Sequence, residues 1–207
     1  MKKIIIWCLV VLPILLSAQG VSPAGKQLFV GYLAAGMNVT QIAGDIMAGY
    51  RKVGGNAGVG AYIMYKPQFS NSIELSYSMK GSQENFKNNN PLNFKKFSFD
   101  YVEIPVLFNY HEADIAIFHA GATFGRLIRY NINQSGGLTL PDDPKKWDFA
   151  ATLGMTFLVK DRFGLNFKAN FSLNSLWELA VASSRARRGG WYHNTLAFRF
   201  IYLFKPK

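Results

Sequence analysis

The stretch WDFAATLGMTFLVKDRFGLNFKANFSL, Trp147 to Leu173, decides how the chain is read. Trp147, Phe149, Ala151, Leu153, Met155, Phe157 and Val159 fall on one phase, while Asp148, Ala150, Thr152, Gly154, Thr156 and Lys160 fall on the other. After the short polar turn Lys160-Asp161-Arg162, the pattern repeats. Phe163, Leu165, Phe167, Ala169, Phe171 and Leu173 oppose Gly164, Asn166, Lys168, Asn170 and Ser172. A period of two is the signature of a β-strand, and the turn makes the pair a hairpin.

Length and facing carry the argument further. Each segment has roughly 11–13 residues, longer than the roughly 5–6 of an ordinary globular strand and close to the roughly 9–11 of a tilted membrane-spanning one. One face is large and apolar; the other is small or polar. A soluble sandwich buries its large side chains, whereas a small membrane barrel turns them to lipid and encloses the polar set.

Outward from this hairpin, the chain opens with a basic start at Lys2 and Lys3. An apolar run from Ile4 to Leu16 and then Ser17-Ala18 follow. That is the layout of a secretory signal peptide, so residues 1–18 are expected to be removed and residues 19–207 to form one β-barrel domain. Cys8, the only cysteine, lies inside the apolar run, which leaves the mature chain without thiol chemistry or disulfides. Loss of residues 1–18 lowers the formal charge of +11 by two. An exported basic chain meets lipopolysaccharide or an acidic partner rather than nucleic acid.

Strands are expected at Lys26 to Met37, Gly54 to Lys66, around Ile73 to Lys80, Lys96 to Tyr110, Ile115 to Tyr130, through the hairpin, and at Asn194 to Phe204. Gly58 and Gly60 share a face in the second, which suits a crowded interior. In the fourth, Phe97, Phe99 and Tyr101 take one phase and Val102, Ile104, Val106, Phe108 and Tyr110 the other, so a bulge is expected near Tyr101. Pro105 cannot donate to a ladder and calls for a bulge or an unpaired amide there. The fifth strand is apolar on both faces, and its facing stays open. The count is eight, with connections alternating long and short. The fold class is therefore an all-β, eight-stranded antiparallel up-and-down transmembrane barrel, with its long connections, particularly 38–53 and 174–190, outside.

The motifs Gly36-Met37-Asn38, Gly44-Asp45, Gly49-Tyr50-Arg51-Lys52-Val53-Gly54, Glu74-Leu75-Ser76-Tyr77-Ser78-Met79-Lys80-Gly81-Ser82 and Tyr101-Val102-Glu103-Ile104-Pro105-Val106-Leu107 resemble the PorT-like outer-membrane barrels of Bacteroidota. The resemblance implies an eight-stranded outer-membrane barrel, a proline tolerated at Pro105, and a link to type IX protein secretion.

Two groups of residues are singled out. Glu74, Glu103, Lys168 and Arg199 all take the inward phase at mid-strand. Buried ions are costly unless paired, so these are expected to form an acid–base network that plugs the barrel. Arg185, Arg187 and Arg188, beside Trp191, are a candidate contact for an anionic lipid or an acidic partner, against the plainer reading of a solvated basic rim. The third reading weighed is a rim-located lipid-modifying enzyme using His193 with Ser183 or Ser184, and it ranks below a non-catalytic one. No nucleotide-binding or metal-ligand pattern occurs, so no cofactor is expected. The reading is a non-catalytic outer-membrane barrel, an accessory or binding subunit of an export, assembly or uptake complex. The alternative is an autonomous structural or adhesion barrel that binds lipopolysaccharide.

Overall fold

A computed structural model describes residues 28–44, 49–83, 95–113, 115–134, 143–160, 162–177 and 190–204. The segment 1–18, expected to be an export signal, lies outside them. Eight strands run in order: β1 Phe29–Ala43, β2 Lys52–Lys66, β3 Phe69–Gln83, β4 Lys95–Glu112, β5 Ala116–Gln134, β6 Trp147–Lys160, β7 Phe163–Ser172 and β8 Tyr192–Phe204. Each is antiparallel to its neighbour, and β8 returns to β1 from Gly31↔Phe204 to Ala43↔Tyr192, which closes the barrel. Closure removes the open edge that a membrane-embedded sheet cannot have.

The outer wall carries the large apolar phase. Leu153, Val159, Phe163, Leu173 and Phe200 are among its exposed side chains, and Phe200 reaches 74%. The inner wall carries Asn, Ser, Thr and the ions. This inverts a soluble fold and matches a lipid-facing exterior.

Several boundaries differ from the sequence reading. β1 continues to Ala43, past Met37, because Asn38, Thr40 and Ile42 keep the inward phase and are buried. Polar residues that look like loop are in fact barrel interior. The first connection shrinks to residues 44–51, and β3 begins at Phe69, since Ser70 and Ser72 also face inward. The expected start at Lys26 lies outside the described residues.

β4 shows how Pro105 is accommodated. Its pairing with β3 runs from Ile73↔Val106 to Ser76↔Glu103 with no pairs between and no change of register, while Pro105↔Thr123 holds the β5 side. The proline therefore sits where a donor is not used. The bulge is also present, but on the other strand. Asp100 pairs with Arg129 and Tyr101 with Leu127, so Ile128 of β5 is the extra residue. Phe97, Phe99 and Tyr101 accordingly stay on the inward phase of Glu103, all three almost fully buried. The facing of β5 is now fixed, with Ile117, His119 and Thr123 inside.

Gly58 and Gly60 make room for the interior. Gly60 pairs with Tyr32 on β1 and with Glu74 on β3. A Cβ on Gly60 would lie 2.5 Å from Tyr32 Cζ and 2.7 Å from the Ile73 carbonyl oxygen; on Gly58 it would lie 2.7 Å from Glu74 Oε1. Gly60→Ala should push the Tyr32 ring aside and cost ~1–3 kcal/mol of stability. Urea unfolding in micelles, followed by circular dichroism, measures this, and an unchanged midpoint would show that the ring is not held by the glycine.

Candidate functional site

The inward residues form layers. At the short-turn end lies an apolar floor of Val30, Tyr32, Ala34, Tyr62, Ile117, Ile201 and Leu203, with Met64 and Leu158 packed against it. Beside it is a neutral polar layer. His119 Nδ1 donates to Asn109 Oδ1 at 2.7 Å, which leaves Nε2 to accept from the Thr156 hydroxyl at 2.7 Å. Asn166 donates to Thr156, and Asn109 to Ser70, whose hydroxyl meets His111 Nε2 at 2.7 Å. Buried polar groups are satisfied in series here, as a low-dielectric interior requires.

Above this sits a first ion cluster. Glu74 is held by Arg199 through Nη1–Oε1 at 2.5 Å and Nη2–Oε2 at 3.1 Å, and by Lys168 at 3.0 Å. The Tyr32 hydroxyl also donates to Glu74, at 2.9 Å. Arg199 spends its remaining donors on Asn166 and Asn56. The planar guanidinium thus serves β2, β3 and β7 at once from its place on β8. Two cations share one carboxylate.

The second cluster reverses that ratio. Lys80 bridges Glu103 at 2.6 Å and Asp148 at 2.7 Å, and Ser172 donates to Asp148 at 2.6 Å. Lys80 Nζ also lies 5.1 Å from the Tyr101 ring centroid. Together the six ions hold three charges of each sign. Each excess is offset by the other inside one low-dielectric space.

An aromatic stopper closes the long-loop end. Phe97, Phe99 and Tyr101 of β4 meet Ile42, Leu176, Trp177 and Trp191. Trp177 and Trp191 pack edge to face at 5.2 Å, and Trp191 lies 5.7 Å from Phe97.

Of the residues singled out in the sequence, Glu74, Glu103, Lys168 and Arg199 are all buried in the lumen. They fall in two clusters rather than one, and the link for Glu103 is Lys80, a residue outside the expected network. Lys80 and Asp148 were legible in principle, because each continues the inward phase of its strand. Trp191 corrects an expectation: its ring is 7% exposed and belongs to the stopper, so it is not an open contact surface. Arg185, Arg187 and Arg188 lie outside the described residues, as do Ser183 and Ser184. His193 is a second correction. Its ring points into the lumen at 3% exposure, 3.3 Å from the Tyr101 hydroxyl, and cannot serve a lipid-facing hydrolase. Among the described residues no group of three or more His, Cys, Asp or Glu is placed to hold a metal ion.

Residues 18–178 match the protein family described as the outer membrane protein beta-barrel domain. Among solved structures the chain is similar to Ail, the attachment invasion locus protein of Yersinia pestis, with a TM-score of 0.51 and 11% identity over 84% of this chain and 98% of that one. It is also similar to Neisserial surface protein A, with a TM-score of 0.52 and 8% identity over 83% and 96% of the two chains. Identities this low carry the fold alone. No curated protein matches in sequence.

Proposed function

The chain belongs to the outer membrane protein beta-barrel domain family, and from that premise we propose that it is a non-catalytic barrel serving as an accessory or binding subunit of an outer-membrane export, assembly or uptake complex. The observation that supports this most is the filled lumen. Floor, paired ions and aromatic stopper occupy the interior in turn, so the working surfaces are the long connections and the outer wall. A small barrel filled by its own side chains is a scaffold rather than a conduit. The PorT-like motifs narrow the proposal to a complex connected with type IX secretion in Bacteroidota. In this reading residues 1–18 are the cleaved export signal, and Arg185, Arg187 and Arg188 offer charge-assisted bonds to an acidic partner.

A second reading, an autonomous structural or adhesion barrel seated on lipopolysaccharide, draws support from exposed cations on the described outer wall, including Arg126 and Arg129. A pull-down of the tagged chain from its native outer membrane in mild detergent separates the two. Secretion or barrel-assembly components recovered at comparable amounts are the expected result. Recovery of the barrel with lipopolysaccharide alone would sink the subunit role and favour the second reading.

A further inference from the structure

The β5 bulge has a consequence on the outside of the barrel. In a regular strand Arg126 and Arg129, three residues apart, face opposite sides of the sheet. Here Arg126 pairs with Val102 and Arg129 with Asp100, Ile128 is the unpaired extra residue, and both arginines are exposed. A bulge that re-aims a side chain in this way is a built feature. The two guanidiniums have different surroundings. Arg129 is neutralised by Asp100 at 2.6 Å. Among the described residues Arg126 has no carboxylate partner; its guanidinium lies over the Trp147 ring, 5.4 Å from the centroid.

The surroundings specify an amphipathic ligand. Trp147 is the first residue of β6, so this site lies at the long-loop end, where the aromatic girdle of a barrel meets the outer leaflet. Directly toward the membrane centre are Phe124 and Phe149, paired edge to face at 5.7 Å and both more than 40% exposed. A cation therefore sits above a greasy wall, in the order that phosphate and acyl chain take in a lipid. Stacking on Trp147 holds the Arg126 fork in place before the ligand arrives, which lowers the ordering cost of binding.

We propose that Arg126 and Trp147 form a site on the outer wall for the phosphate headgroup of an outer-leaflet glycolipid, with its acyl chains lying over Phe124 and Phe149. The site rests on the outer-membrane placement and not on the subunit role, so a failed pull-down leaves it standing.

The test is a titration of the full chain in micelles with diphosphoryl lipid A, with folding of each variant verified by heat-modifiable mobility on gels. Arg126→Ala is expected to weaken binding about tenfold or more, the loss of a charge-assisted contact. Arg51→Ala, which removes an exposed cation from the first long connection, is expected to stay within roughly twofold, since an exposed distant charge is screened. Dephosphorylated lipid A should bind the wild type no better than diphosphoryl lipid A binds Arg126→Ala. Unchanged binding by Arg126→Ala, an equal loss in Arg51→Ala, or tight binding of the dephosphorylated lipid would overturn the site. Inorganic phosphate that binds through Arg126 and displaces the lipid would make it a free-anion site and overturn the lipid assignment.

Discussion

Glu74→Gln is expected to destabilise the barrel by ~3–5 kcal/mol, the cost of breaking a buried ion pair by removing one partner. Glu74 is the one carboxylate within ion-pair distance of both Arg199 and Lys168 among the described residues. Its loss leaves two buried cations on neighbouring strands with no carboxylate in contact, since both carboxylates of the second cluster already hold Lys80. Arg199→Gln should cost less. In that variant Glu74 keeps Lys168, and the freed Asn56 and Asn166 are neutral. Replacing all three ions by leucine and methionine should return stability near the wild-type value, because the desolvation cost disappears along with the attraction. Urea midpoints in micelles rank the variants. A Glu74→Gln protein within ~1 kcal/mol of wild type, or a larger loss in Arg199→Gln, would show that water reaches the cluster and that the lumen is not the low-dielectric space described above.

Trp191→Ala is expected to cost a comparable ~3–5 kcal/mol, the usual price of deleting a buried aromatic. The ring is 7% exposed and touches both Trp177 and Phe97, so truncation leaves a cavity that the β-sheet frame cannot collapse to fill. Trp177→Ala should behave similarly, and the double variant should lose less than the two single losses combined, because the rings pack on each other. Conductance across a planar bilayer should stay at the baseline in every one of these variants. The paired ions below the stopper still fill the lumen after it is removed. An open channel in Trp191→Ala would mean that the stopper alone seals the barrel and that the ion layers are hydrated.

Much of the fold was legible because a membrane barrel writes itself in a period of two. The hairpin from Trp147 to Leu173, the even strand number and the alternating connections all followed from that pattern and from strand length. Boundaries were harder. Asn38 and Thr40 read as loop because polar residues usually mark loops, whereas inside a barrel they mark the lumen. Trp191 reads as a surface contact because it closely follows Arg185, Arg187 and Arg188 in sequence, whereas its ring turns into the stopper. Periodicity says which residues share a face, but not whether a large ring near the mouth turns in or out.

The ion network divides in the same way. That Glu74, Glu103, Lys168 and Arg199 share the interior was determined by the sequence, since strict alternation sends every second residue of a strand to the same side. Which acid meets which base was decided by the register of closure. The closed frame of eight strands places Arg199 of β8 against Glu74 of β3, across 125 residues of chain, and leaves Glu103 to Lys80 and Asp148. One unpaired residue at Ile128 decided that Arg126 and Arg129 stand together outside. Alternation is local and can be read along the chain; shear and bulges belong to the closed sheet, and only the tertiary structure sets them.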